Sequence, residues 1–198
     1  MTFARFLCIL AIFLSIASPS WASDTIMRGD APAWVVTSPP VSAPAELGDA
    51  PIRILRLDKQ VRIENGTSYV YSDGAFLIQT SEGLAAGNFN IPWRPDTTTI
   101  TVHKAQVIRN GETIDLLADG KDFTILRREA NLEQATLDGI LTATLQPEGL
   151  QVGDIIEFVA TTATSDPVFA GNAEFEMGEW NEVPVDHARL RVSWPTRH

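Results

Sequence analysis

Short segments in which apolar and polar residues alternate recur along this chain, and turn-forming pairs separate them. In the segment that begins at Ile52, the apolar residues Leu55, Leu57, Val61 and Ile63 share one parity, while Arg56, Asp58 and Gln60 lie on the other. Such alternation predicts a strand with one face on the core and one face in solvent. Asn65-Gly66 follows directly, and this pair favours a tight hairpin turn because both residues tolerate positive φ.

The same two features predict strands along most of the chain. They cover residues 68–71, 75–80, 97–109, 112–116, 123–126, 139–145, 155–164, 173–177 and 187–194, with Asp73-Gly74 as one of the turns. Apolar parity switches at His103-Lys104, which predicts a β-bulge or a crossing between sheets there. Only residues 128–134 could hold a helical turn. The pattern therefore predicts an all-β fold, an antiparallel two-sheet β-sandwich.

The first 22 residues have the order of a secretory signal peptide. Arg5 precedes an apolar run over residues 6–14, and Pro19 and Ser20-Trp21-Ala22 follow it. We expect cleavage after Ala22, because the run is shorter than the roughly 20 residues that span a bilayer. The mature protein is then expected in the periplasm or outside the cell, with no membrane association after cleavage.

Composition excludes several kinds of chemistry. The only cysteine, Cys8, lies in the predicted leader, so the mature chain has no thiol nucleophile, no thiolate metal site and no disulfide. The formal net charge is −10, from 25 acidic and 15 basic residues. A field of this sign repels phosphate backbones, so nucleic acid is not an expected partner.

Residues 23–51 are rich in proline, alanine and serine, and we interpret them as an extended linker arm. Within the arm, Trp34-Val35-Val36 is an apolar island. It is either a short strand or plug that one tryptophan pins to the domain, or a motif that docks a partner. The β-sandwich domain is then expected over residues 52–198.

No catalytic, cofactor-binding or metal-ligating residue is predicted. Asp115 and Asp119-Gly120 are spaced like part of a calcium loop, but two of the ligand positions of that loop hold leucine, so a turn is the better interpretation. We expect His103 to be a solvated or edge histidine and His187 to lie on the polar face of its strand. Glu174 and Glu176 alternate with apolar residues, which indicates the solvent-exposed face of a strand.

Several segments together resemble a bacterial domain of unknown function that precedes transglutaminase-like domains of the cysteine-peptidase type. The segments are Ala33-Trp34-Val35, Arg62-Ile63, residues 90–95, residues 105–116 and residues 145–158. Trp93, between Pro92 and Pro95, and the Asn110-Gly111 turn are expected to be structural parts of this domain. The resemblance implies a β-sandwich whose catalytic cysteine, histidine and aspartate lie in a separate downstream domain.

The resemblance thus implies an exported, non-catalytic module that acts as a scaffold or binds a peptide or protein substrate. Its expected partners are a downstream transglutaminase-like domain and a peptide or protein ligand. The alternatives are a hydrolase or transferase with an unrecognised site, and a self-standing surface-interaction domain. Members of that family are longer, so we expect the chain to be a fragment whose final strand has an uncovered apolar face.

Overall fold

The computed structural model describes residues 24–127, 139–169, 171–175 and 184–195. Within these residues the protein is mainly β and has two sheets. The strands are β1 (Met27–Arg28), β2 (Ile52–Glu64), β3 (Thr67–Ile78), β4 (Phe89–Trp93), β5 (Thr98–Arg109), β6 (Glu112–Asp115), β7 (Thr124–Arg127), β8 (Leu141–Leu145), β9 (Ile155–Thr164) and β10 (Ala188–Ser193). Short 3₁₀ helices span Ser81–Gly87, Ala118–Gly120 and Pro167–Phe169. The predicted leader (1–22) and helical turn (128–134) lie outside the described residues.

The larger sheet has seven strands in the order β1-β5-β9-β3-β2-β10, and β6 pairs with β5 beside this path. β1 runs parallel to β5, and β10 runs parallel to β2. The expectation of a purely antiparallel fold is therefore wrong for this sheet, which is mixed. Periodicity predicts strands but not their direction, and the long connection from β9 to β10 lets the chain return parallel to β2. The smaller sheet, β4-β8-β7, is antiparallel.

Two of the predicted hairpin turns are confirmed. Asn65-Gly66 joins β2 to β3 with φ angles of 50° and 74°, and Asn110-Gly111 joins β5 to β6 with 51° and 83°. The predicted turn at Asp73-Gly74 is wrong, because β3 continues through both residues and pairs with β2 and β9 there. Asp73 faces a buried arginine, so its presence reflects an ion pair and not a turn.

The predicted parity switch in β5 is confirmed as a bulge. Val102 pairs with Ala160 and Lys104 with Val159, so His103 is the extra residue. The bulge lets Ile100 and Val102 before it, and apolar residues after it, reach the same core despite their opposite parity.

One face of the larger sheet packs against the smaller sheet, and we call it the core face. Trp93 of β4 and Leu141 of β8 pack there against Ile100, Val102 and other residues of β5. Along β9, Phe158 and Ala160 contact this core, so Glu157, Val159 and Thr161 point to the opposite face. We call that opposite face the arm face, because part of the N-terminal arm lies on it.

Two strands are predicted near the end of the described chain, and the structure confirms only the second. Residues 173–175 form no strand, and the rest of the predicted segment 173–177 lies outside the described residues. β10 forms within the predicted segment 187–194. Leu190 in β10 is 39% exposed and Trp194, directly after the strand, is 68% exposed, so both apolar side chains are in contact with solvent.

Candidate functional site

The arm segment, residues 34–41, lies across the arm face without forming a strand. The sequence allowed a short strand or a plug held by Trp34, but this side chain is only half-buried and Val36 is 48% exposed. Arg191 donates to the carbonyl of Trp34 (2.9 Å), Gln60 and Arg189 donate to that of Val36, and Arg56 donates to that of Pro39 (2.8 Å). The sheet thus holds the segment by its main chain, with side chains supplying the donors that a neighbouring strand would supply.

The arm as a whole is not a free linker. β1 adds a parallel strand to the edge of the larger sheet, and Arg28 donates to the carbonyls of Leu117 (3.0 Å) and Lys121. Proline residues beyond β1 have no N–H for a ladder, which explains why the arm leaves the sheet edge and crosses its face.

Arg56 lies at the centre of a buried ion-pair network on the arm face. Its Nε and Nη2 atoms donate to Oδ1 of Asp73 at 2.9 and 2.6 Å, and Nη2 also donates to Glu157. Gln106 donates to the second oxygen of Glu157. The side chains of Arg56, Asp73 and Glu157 are only 3%, 6% and 7% exposed, so the charges compensate one another away from water.

A second buried carboxylate, that of Asp58, links β2 to β10 and to the arm segment. Arg189 donates to its Oδ1 at 2.8 Å, and Ser38 donates to its Oδ2 at 2.8 Å. Burial alone would raise the pKa of Asp58, but the hydrogen bonds from Arg189, Ser38 and Gln60 outweigh it and lower the pKa. Asp58 is therefore held as the carboxylate.

Next to the arm segment, a cavity of about 480 Å³ opens over the central strands. We call it the arm cavity. Pro39, Pro40 and Val41 form one wall, and the lining includes Tyr71 and Asp73.

Tyr71 is 5% exposed, and its hydroxyl is not one of the two fully buried, unpaired side-chain atoms of the described residues, which belong to Thr80 and Trp93. Its ring stacks on His103 with centroids 6.0 Å apart. The sequence predicted a solvated or edge histidine at position 103, and the structure has a half-buried residue there. Its Nδ1 donates to the Gly29 carbonyl (2.8 Å), and its Nε2 lies 2.7 Å from the Thr161 hydroxyl.

Tyr71 and Asp73 in the arm cavity have shifted pKa values. Burial raises the pKa of Tyr71 to about 12, and the negative charges of Asp73 and Asp58 add to this. Burial also raises the pKa of Asp73 against the opposing effect of its bond to Arg56. Burial is thus the largest cause of both shifts and favours the neutral forms, and at Tyr71 the neighbouring carboxylates act in the same direction.

The structure does not bring the other residues weighed from the sequence into a site. Asp119 has a φ of 56° in a turn, and Asp115 accepts a hydrogen bond from the nearby Leu117 N–H at 2.9 Å. His187 is exposed before β10, and Glu174 is exposed outside any strand. Glu176 lies outside the described residues.

Sequence reasoning missed the network because it assigned Arg56, Asp58 and Gln60 to a solvated face. In the structure they are 2%, 2% and 0% exposed. One signal was present. An arm with many prolines has carbonyls that no ladder can pair, and such a segment needs side-chain donors such as arginine and glutamine.

Two kinds of feature are absent from the described part of the chain. It contains no group of three or more His, Cys, Asp or Glu side chains placed to hold a metal ion. It also contains no helix long and apolar enough to cross a membrane.

Residues 64–198 match a family described as a domain of unknown function with a solved structure, DUF3857. No curated protein matches the chain. Among solved structures, the chain is similar to the crystal structure of a "putative protease" from Parabacteroides distasonis, with a TM-score of 0.57 and 14% identity. The similarity covers 73% of this chain and 29% of that protein, so it concerns the fold of one part of a longer chain.

Proposed function

Because the chain belongs to the DUF3857 family, a domain of unknown function, we propose that it is a non-catalytic module that binds an extended polypeptide on its arm face. The finer architecture in this proposal is a two-layer β-sandwich, with the smaller sheet covering the core face. The polar part of the arm face then takes no part in the packing between the two sheets.

The observation that carries the proposal is how the arm face holds residues 34–39. Carbonyls of Trp34, Val36 and Pro39 are bound by buried or half-buried side chains of the sheet. These contacts are made to the main chain, so they do not depend on the side chains of the bound segment. Recognition of extended main chain, with adjacent pockets for side chains, is a recurrent way to bind peptides.

Within a larger protein, such a module would present a polypeptide substrate to a catalytic domain. The sequence resemblance supports a transglutaminase-like domain as that partner. The coding sequence that follows the His198 codon tests this part of the proposal. An in-frame domain with cysteine, histidine and aspartate in that order supports it, and a stop codon contradicts it.

The binding function can be tested by cutting the chain after the arm, so that a free peptide can replace the bound arm segment. A site for a specific protease is inserted between Ala45 and Glu46, which are both exposed. After cleavage of the full chain, a fluorescent synthetic peptide of residues 32–41 is added in excess. We expect the cleaved protein to take up the peptide, measured by fluorescence anisotropy, and the uncleaved protein not to do so.

One variant tests the contact with the arm in this experiment, and a second variant is its control. Gln60→Leu removes the amide that binds Val36 and is expected to weaken uptake about tenfold, as two lost hydrogen bonds would. Arg94→Gln changes an exposed residue whose ion pair with Asp96 is also exposed, and uptake should not change. If the cleaved protein keeps its arm while folded, or unfolds when the arm leaves, the arm is a fixed part of the fold and the proposal is wrong.

Export is the second part of the proposal. The order of Arg5, the apolar run and Ser20-Trp21-Ala22 supports cleavage after Ala22. Intact mass of protein recovered from the periplasm should correspond to a chain that starts at Ser23. A full-length product confined to the cytoplasm would contradict it.

A further inference from the structure

We infer that the arm cavity binds a cationic side-chain head, the ammonium of a lysine or the guanidinium of an arginine, from the polypeptide held on the arm face. The inference rests on the proposed function for the peptide that carries the side chain. The arm cavity lies directly beside residues 37–41, so a segment bound next to the arm can extend a side chain into it.

The floor of the arm cavity offers two acceptors that the protein leaves unused. Oδ1 of Asp73 takes both hydrogen bonds from Arg56, and Oδ2 has no partner among the described residues. The Tyr71 hydroxyl likewise has none in the part of the chain that the structure describes, although Tyr71 is 5% exposed. The hydroxyl is not one of the fully buried, unpaired side-chain atoms of the described residues, so it opens onto the arm cavity that Tyr71 lines, and a ligand there can reach it.

The charges around these acceptors favour a cation over an anion. After burial, Asp73 and Asp58 are the largest influences on the pKa of Tyr71, and the effect of each exceeds the opposing effect of Arg56. An ammonium has donors for both Asp73 and the Tyr71 oxygen, and the tyrosine ring adds a favourable cation–π surface. A carboxylate ligand would meet the unpaired Asp73 oxygen and be repelled.

The other basic groups in the cavity do not already fill this position. Arg56 already donates hydrogen bonds to Asp73, Glu157 and the Pro39 carbonyl. Lys104 is 52% exposed at the rim and lies 3.7 Å from Glu157, not Asp73. Both ring nitrogens of His103 have partners.

The walls of the cavity suit the stem of a long basic side chain. Pro39, Pro40, Val41, Ile108 and Val159 line it with apolar atoms. Methylene groups of lysine or arginine can cover such surface while the charged head reaches the polar floor. A short cation would leave these walls in contact with water.

The test uses the full, uncleaved chain, because Pro39, Pro40 and Val41 of the arm wall the cavity and the peptide must bind beside the arm, not in its place. Three synthetic peptides are compared, acetyl-Ala-Val-X-Val-Ala-amide with X as lysine, norleucine or glutamate. Norleucine has the stem of lysine without the charge. Binding is followed by isothermal titration and by amide chemical shifts of the residues that line the arm cavity. We expect the lysine peptide to bind at least about tenfold more tightly than the norleucine peptide, and the glutamate peptide to bind most weakly.

Variants test the two acceptors and the competing cation. Asp73→Asn and Tyr71→Phe should remove most of the preference for lysine over norleucine. Lys104→Met should increase it, because the rim then has no cation to repel the ligand. The substitution removes the 3.7 Å ion pair with Glu157, which keeps its bonds from Arg56 and Gln106. The opposite directions of these effects distinguish the inference from a general loss of folding.

The outcomes separate this inference from the proposed function. If lysine and norleucine peptides bind equally well at the arm cavity, peptide binding stands and the cation site is wrong. If no peptide binds the full chain or the arm-cleaved chain, the proposed function is wrong. In that case n-butylammonium, compared with n-butanol, tests the cavity alone. Shifts at Tyr71 with the ammonium only would support the cation site, and their absence would overturn it.

Discussion

The side-chain amide of Gln60 forms two hydrogen bonds with the main chain of Val36. The Val36 N–H donates to Oε1 at 3.0 Å, and Nε2 donates to the Val36 carbonyl at 2.7 Å. These are the two main-chain bonds that a paired strand residue would make. Gln60 therefore replaces a neighbouring strand at one point of the arm, and it does so from a position that is 0% exposed.

Gln60→Leu should destabilise the protein by about 1–3 kcal/mol, because Val36 loses both partners and the buried Asp58 carboxylate loses one donor. The free energy of unfolding from urea denaturation measures this. Limited proteolysis within residues 34–41 should accelerate at the same time. An unchanged cleavage rate would mean that the amide does not hold the arm segment.

Arg56→Met should cost about 3–5 kcal/mol, because it leaves the buried carboxylates of Asp73 and Glu157 without their cation. The triple variant Arg56→Met, Asp73→Asn, Glu157→Gln should recover more than half of that loss, since no buried charge remains unpaired. Denaturant melts of the single and triple variants provide the comparison. If the triple variant is no more stable than the single one, charge is not the cause of the loss.

Trp93→Ala should cost about 3–5 kcal/mol, since the ring is 5% exposed and belongs to the core between the sheets. Trp93→Phe should cost less than half as much. The buried Nε1 has no hydrogen-bond partner among the described residues, so its removal abolishes an unpaired donor. Thermal and denaturant melts check both values. Equal losses would indicate that the indole N–H contributes a bond.

The two Asn-Gly turns differ in what surrounds the glycine. A Cβ at Gly111 (φ 83°) would have nothing within 4 Å, so Gly111→Ala should cost only the backbone strain of about 1–2 kcal/mol. A Cβ at Gly66 (φ 74°) would lie 2.8 Å from the Gly171 carbonyl oxygen, so Gly66→Ala should cost about 1–3 kcal/mol more. Urea denaturation of the two matched variants measures the difference. Similar losses would show that the segment around Gly171 moves away freely.

Acid should weaken the contact between Arg109 and Asp154. Burial opposes ionisation of Asp154, but Arg109 and the Gln151 N–H bind the carboxylate and lower its pKa below the ordinary 3.8. The folded state therefore binds this proton less tightly than the unfolded state. The stabilisation is present above pH 3.8 and is lost as the pH falls through the lower, folded pKa.

Asp154→Asn is the measurement that isolates this effect. The difference in unfolding free energy between the original protein and the variant should be largest above about pH 5 and should shrink toward pH 2. Urea melts at several pH values provide it. A difference that stays constant with pH would mean that the Asp154 charge is not linked to folding.

The sequence by itself determined the local structure. Period-two segments and Asn-Gly pairs predict most of the strands and the two hairpins, because side-chain alternation and positive φ are properties of neighbouring residues, but they do not predict β1 or β4. The bulge at His103 is visible for the same reason, as a parity switch inside one strand. The burial of Trp93 also agrees with its expected structural role.

The tertiary structure alone decided the direction of β1 and β10 and the character of the arm face. The direction of a strand depends on the path of the chain between strands, which periodicity does not record. Arg56, Asp58 and Gln60 have the polarity of a solvated face, but the arm covers them and their partners lie on β3, β9 and β10. Asp73-Gly74 has the composition of a turn, but the ion pair with Arg56 keeps it within β3. In each case, contacts between residues distant in sequence outweigh the local preference, because a buried charge must find its partner wherever the fold places it.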